Sequence, residues 1–343
     1  MLFCSHFLAL GLLSRKFQYV PYGDKAPEGV RSLSCDGKVQ GTALDLTHWT
    51  NNETPEELYA DTSTAIALNM ARARIENGEY SEFDDAIVVN NHYDSDGVLS
   101  VFACINPVSA LMVAPLMVAG AEAGDFGEWS SDAGVKLDCA LSSLCTDDDD
   151  EGYEAALRAL PDLLADLEGA DGSAHEALWR PGFEAVLASW EAVEAGEAEL
   201  SMGAGRIALL TQPAGAPRLQ SAALHRGLRE LGVSGHESAS QACSRVLRAE
   251  FDASCGWRYA FEKPGHGWVQ RLVERQPVPP ADGAKIAATL SVESALDERL
   301  GLGTWVAGGS GGLVKICRSE GWVQAGPDAV MAALLEADEG ARA

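Results

Sequence analysis

The stretch Ala86-Ile87-Val88-Val89-Asn90-Asn91-His92-Tyr93-Asp94-Ser95-Asp96-Gly97-Val98-Leu99-Ser100-Val101-Phe102-Ala103 changes character twice. The β-branched run at Ala86–Val89 is short enough to be a buried parallel strand. A polar segment follows, and helical composition then runs from Gly97 to Ala123, interrupted near Pro107 and Pro115 and closed by Gly124. Between strand and helix, His92, Asp94 and Asp96 stand at alternate positions. Alternate residues of an extended segment share a face, so one imidazole and two carboxylates converge there. An Asx-rich turn also accounts for Asp96 and Gly97, but less well for the aligned His92 and Asp94.

Upstream, residues 1–30 read as an irregular lead-in ending in the turn cluster Pro21–Gly29. Residues 30–49 (VRSLSCDGKVQGTALDLTHW) then read as two short strands around an Asp36-Gly37 turn. Thr54-Pro55-Glu56-Glu57 is a helix-start signature, and helix-forming composition runs over 55–77, with Asp61-Thr62-Ser63-Thr64 able to restart the helix. Strand, helix, strand, helix predicts an α/β fold with a parallel-sheet N-terminal layer. In such sheets ligands sit outside the carboxyl ends of the strands. His48 falls just past one such end and His92 just past another.

Downstream, a helix is expected over 152–168, with further helices to about 198 and a strand near 206–210. The spacing predicts helix over 219–250, a hairpin over 256–273 turning at 263–267, a loop at 276–283, a helix near 284–299 and a Gly-rich hairpin over 304–323. At roughly 150 residues per domain, 343 residues suggest two. The expected division is an α/β metal-binding domain at 31–200 and a smaller α+β substrate or partner domain at 201–335.

The chain carries 25 Lys+Arg against 51 Asp+Glu, a formal net charge of −26. That excludes a sequence-independent nucleic-acid binder, because a polyanion repels so acidic a protein. The charge is unevenly spread: 42–157 holds 23 acidic and three basic residues, whereas 206–275 holds six acidic and ten basic. Either the two halves have different solvated surfaces, or the first gathers cations and the second faces an anion. The run 147–151 reads as a solvated loop before a helix. No apolar run reaches membrane-spanning length, and the apolar N-terminus lacks a leading cationic region. Eight scattered cysteines without a CxxC pair suit reduced thiols in the cytoplasm.

The segment His92-x-Asp94-x-Asp96-Gly97-x-x-Ser100 resembles the first motif of the DHH phosphoesterase superfamily, which includes single-strand exonucleases, oligonucleotide hydrolases and family II pyrophosphatases. The chain as a whole resembles an uncharacterised bacterial protein family carrying that motif. The resemblance implies a two-metal site, commonly Mn²⁺, at the carboxyl edge of a parallel sheet, with a smaller C-terminal domain closing over substrate. His92, Asp94 and Asp96 would be ligands, with Asp94 and Asp96 carrying the catalysis. No Asp-His-His triplet occurs, and Gly308–Gly312 resembles the superfamily's second-domain glycine motif without its histidine.

A two-metal site needs further ligands, one of them a bridging carboxylate. Asp125, in a loop after a helix expected to end near 122, and His48 on the strand edge are the candidates, with Asp61 a third. Each also has a structural reading: helix closure for Asp125, a packed imidazole for His48 and an N-cap for Asp61. Carboxylates with imidazole favour Mn²⁺ or Mg²⁺. Arg245 and Arg258, with Arg248, are the candidates for holding a substrate phosphate, or else form a solvated face. Trp257, Tyr259 and Trp268 read as core or as a base-stacking surface. The expected function is a divalent-metal-dependent phosphohydrolase acting on a phosphate-containing small molecule or short oligonucleotide, with neither duplex nucleic acid nor membrane as partner. The alternative is a non-catalytic α/β protein that binds a partner or a single metal ion.

Overall fold

The computed structural model describes residues 17–144, 150–169, 172–230, 243–308 and 314–342. Outside them lie the apolar N-terminus, the first part of the acidic run 147–151, His236 and most of the glycine run 308–312. The chain divides into two units, Met1–Glu184 with Val269–Glu274, and Ala185–Trp268 with Arg275–Ala343. The boundary falls before the expected 200/201, and a short segment of the later chain returns to the first unit. The fold is α/β, as the sequence led one to expect: a parallel sheet with helices, followed by a mixed sheet with helices.

The first unit is built on β1 (Phe17–Tyr19), β2 (Ser32–Cys35), β3 (Leu44–Leu46) and β4 (Ile87–Asn90). They form one sheet in the order β1-β4-β2-β3, every pairing parallel. The strands around Asp36-Gly37 are therefore neighbours that run the same way, joined by a loop over 36–43. Helices α1 (Ser63–Asn77), α2 (Ser95–Ile105), α3 (Pro107–Met112), α4 (Ala114–Phe126), α5 (Asp132–Leu144) and α6 (Asp150–Gly169) follow, and the first half of α7 (Glu176–Glu194) ends this unit. Every residue of α2 from Ser95 to Cys104 is buried, which suits a helix that is apolar all round. It packs on α1, α4 and β4, so its N-terminus is held at the strand ends.

Helix α1 begins later than the Thr54-Pro55 signature implied. Thr62 is its N-cap, its hydroxyl accepting the Ala65 N–H at 3.2 Å. Thr54 instead exchanges hydrogen bonds with the Thr47 backbone at 3.0 and 2.8 Å, closing the loop that carries His48.

The second unit is a six-stranded sheet of β5 (Glu199–Met202), β6 (Ile207–Pro213), β7 (Arg245–Asp252), β8 (Gly256–Glu262), β9 (Trp305–Ala307) and β10 (Lys315–Ser319), in the order β5-β6-β7-β8-β10-β9. Helices α8 (Ser221–Glu230), α9 (Gly283–Leu296) and α10 (Pro327–Ala337) accompany it. Two expectations fail here. Residues 245–250 are strand, not helix, because β7 pairs with β6 on one side and β8 on the other. The expected hairpin over 256–273 does not form, since β8 takes β7 and β10 as partners. Tyr259 stacks between Trp257 and Trp305 in the core.

Arg245 is fully buried, donating from Nε to Asp338 Oδ2 at 2.6 Å and from its terminal nitrogens to Ser244 and Pro279 carbonyls. Removing one partner of a buried pair strands the other charge. Asp338→Ala should destabilise the second unit by about 3 kcal/mol, read as an earlier unfolding transition in urea for the full chain.

Candidate metal centre

Strand order decides what meets at the carboxyl edge. Because β2 lies between β4 and β3, the residue leaving β2 sits between the residues leaving its two neighbours. That residue is Asp36. It adopts a left-handed backbone (φ 60°), a conformation that Asp tolerates better than most residues but at a cost. His48 follows β3, and His92, Asp94 and Asp96 follow β4. Asp125 arrives from the last turn of α4, not from a loop beyond it.

Two groups that could hold an ion share Asp36. Asp36, His48, Asp96 and Asp125 each offer a donor atom within one small cluster, and Asp36, His92 and Asp94 do so in a second. His48 Nε2 lies 3.5 Å from Asp36 Oδ1, 3.6 Å from Asp96 Oδ2 and 3.1 Å from Asp125 Oδ2. His92 Nε2 lies 2.9 Å from the other Asp36 oxygen and 3.2 Å from Asp94 Oδ2. Asp36 thus turns one oxygen toward each group, the arrangement of a bridging carboxylate. The first group is closed, its side chains at most 8% exposed, whereas His92 is 20% and Asp94 38% exposed.

The surroundings orient each ligand. His48 Nδ1 is 2.6 Å from the Asp61 carbonyl and His92 Nδ1 is 3.0 Å from Asn91 Oδ1, so in both rings Nε2 is turned to the carboxylates. Asp61, a sequence candidate for ligation, belongs to neither group; its carboxylate accepts the Val273 and Glu274 N–H groups at 2.5 and 3.1 Å. Asp96 accepts the Ser63 and Thr64 N–H groups at 2.7 and 2.6 Å, sitting on the N-terminus of α1, and Asp94 caps α2 through the Gly97 N–H at 2.7 Å. Asn90 ties the edge together: Oδ1 accepts the Gly37 N–H at 3.0 Å and the Asn91 N–H at 2.8 Å, while Nδ2 donates to the Tyr153 hydroxyl. A Cβ on Gly37 would overlap Asn91 Oδ1 and come within 2.7 Å of Asn90 Oδ1.

Charge crowding shows in the ionisation of these groups. Burial pushes the Asp96 carboxyl up to about 6, with Asp36 adding to the rise, and lifts Asp125 well above the carboxylate range, with Asp96 adding to it. Burial would also raise Asp36, but His92 and His48 outweigh it and hold that carboxyl well below its usual range. Both imidazoles rise against burial: His92 to about 11, driven by Asp36, and His48 well above its ordinary value, driven by Asp125 and Asp36. Asp36 Oδ2 is buried, with His92 Nε2 2.9 Å away. Buried carboxylates crowded around two imidazoles fit a divalent cation, as does the oxygen-and-nitrogen donor set.

The sequence candidates His48, His92, Asp94, Asp96 and Asp125 come together, and Asp36 joins them. Asp-Gly reads as a turn and so conceals Asp36; its place directly after a short buried strand, parallel to those ending at His48 and His92, is the signal that finds it. Arg245 is consumed by Asp338, and Arg258 pairs with Glu250 at 3.0 Å and lies over the Trp322 ring.

This edge defines a carboxylate–imidazole centre on a parallel α/β sheet. The chain belongs to DUF6687, a family of unknown function whose profile matches residues 15–326. No curated protein matches it.

The protonated imidazoles give the centre a pH dependence. Folded, ion-free His48 and His92 have raised pKa values and carry protons at neutral pH, so an incoming ion must expel them. Mn²⁺ binding should release about one or more protons and weaken as pH falls from about 8 to 6, measured by calorimetry in buffers of different ionisation enthalpy. Gly124 packs against the same edge, where a Cβ would lie 3.0 Å from both Ser95 Cβ and Asp138 Oδ1. Gly124→Ala should shift neighbouring Asp125 and weaken Mn²⁺ binding by about tenfold, read in the same titration.

Proposed function

We propose that this chain is a divalent-metal-dependent phosphohydrolase acting on a phosphodiester or phosphoanhydride, with Mn²⁺ or Mg²⁺ as its ions. The observation that carries the reading is the position of Asp36, whose two oxygens face two separate ligand groups. Asp36, His48, Asp96 and Asp125 would hold one ion, and Asp36, His92 and Asp94 the other. When bound, such a pair supplies Lewis acidity toward a phosphoryl oxygen and makes water a nucleophile near neutral pH.

The protein's own part is positioning. Asp61 and Asn91 fix the imidazole tautomers, and the N-terminus of α1 holds the Asp96 carboxylate. His92 and Asp94, the more exposed ligands, are where substrate enters. The DHH-like motif His92–Ser100 supports the same reading, and the substrate in view is a phosphate-containing small molecule or short oligonucleotide. The compartment we propose is the cytoplasm, supported by the free thiols of the six described cysteines. No helix among the described residues is long and apolar enough to cross a membrane.

A second reading, a non-catalytic protein holding a single ion, is favoured by one observation. Both Asp96 oxygens already accept backbone N–H groups, which makes that carboxylate part of the helix architecture. A carboxylate has about four acceptor positions, so capping leaves room for ligation.

Metal content and turnover separate the two. Purified protein should bind about two Mn²⁺ per chain and hydrolyse bis-p-nitrophenyl phosphate or pyrophosphate. Asp94→Asn, at the exposed ligand, should keep the fold and lose about 100-fold or more in rate; Asp94→Asn/Asp96→Asn should lose activity entirely. One ion per chain without turnover supports the second reading, and no ion at all removes both.

A further inference from the structure

The second unit carries a cationic feature that the metal centre does not use. Leu247, Ala249, Tyr259 and Phe261 point to one face of the sheet, into the core with α9 and α10. Strand alternation sends Arg248 and Glu262 to the opposite face. There Arg248 Nε donates to Glu262 Oε2 at 2.8 Å, and Arg218 Nη2 reaches both Glu262 oxygens at 3.2 and 3.4 Å. Two guanidiniums therefore share one carboxylate. The nearby Glu250 carboxylate is engaged by Arg258.

Arg248 is only 9% exposed, and its Nη1 is a buried donor with no hydrogen-bond partner among the described residues. A buried charged donor left unmatched is costly, so native structures rarely keep one without a ligand, ion or water. Burial lowers the Arg248 pKa, Glu262 opposes the fall and Arg218 adds to it, so two guanidiniums lean on one carboxylate there. Arg218 is largely exposed, its side chain at 64%, so the cluster runs from the buried Arg248 out to solvent.

We propose that Arg248 and Arg218, anchored by Glu262, form a binding site for a small oxyanion of the phosphate class. Arg248 Nη1 donates to one anion oxygen and the exposed Arg218 fork to others, while Glu262 keeps both guanidiniums in place. A planar guanidinium suits the spaced oxygens of phosphate better than a spherical halide. The site stands apart from the hydrolytic reading, because it needs neither metal nor turnover.

The test uses the full chain in excess chelator, titrated calorimetrically with inorganic phosphate and, separately, pyrophosphate, against sodium chloride at matched ionic strength. Saturable binding of either phosphate species is expected, weakened about tenfold in Arg218→Ala and in Arg248→Lys. Arg218→Ala removes an exposed side chain and keeps the fold; Arg248→Lys keeps the charge but loses Nη1. A stronger response to pyrophosphate assigns the anion to a larger phosphorylated ligand, and equal responses assign it to free phosphate; both support the site. Binding no stronger than chloride, or binding undiminished in both variants, overturns the proposal.

Discussion

Parallel pairing of β2 between β3 and β4 is the constraint on which the centre depends. With all strands pointing one way, their carboxyl ends form a single edge, and whatever leaves the middle strand is flanked on both sides. Asp36 occupies that place. Had β2 and β3 formed a hairpin, Asp36 would sit at the turn between them and His48 would lie beyond the opposite end of the pair. The burial of α2 is the second requirement, since it holds Asp94 and Asp96 against the strand ends.

Supporting contacts around the centre come from side chains that a ligand search overlooks. Asn90 uses one amide to fix the Asp36-Gly37 bend, the entry to His92 and the Tyr153 hydroxyl. Asp61 uses its carbonyl for His48 and its carboxylate for the returning segment at 273–274. Such partners set ligand orientation and tautomer, and they tune a metal site nearly as much as the ligands do.

Much of this edge was legible in the sequence because parallel α/β sheets obey a positional rule. A short β-branched run followed by His92, Asp94 and Asp96 at alternate positions fixed the strand, the loop and the helix start together. His48 followed from the same rule applied to β3. Asp36 was hidden by its neighbour, since Asp-Gly is a turn signal wherever it occurs and only strand direction distinguishes a hairpin from a ligand loop. Gly124 reads as a helix end and so puts Asp125 in a loop, whereas packing of α4 on α5 carries the helix on to Phe126. In the second unit, residues 245–250 looked helical because Arg, Leu and Ala dominate there. The pairing of β7 on both sides overrode that local preference, as tertiary context often does. The arginines were the least legible residues, because burial and pairing set their roles and neither leaves a mark in spacing.

The left-handed backbone at Asp36 has a consequence for how the sequence can vary. Glycine adopts that conformation without the Cβ penalty, so the backbone alone would favour it at position 36. Only the carboxylate argues for aspartate. The ease of the backbone and the shared carboxylate therefore pull this one position in opposite directions. A glycine at this bend would keep the turn of the scaffold while giving up the carboxylate that faces both groups.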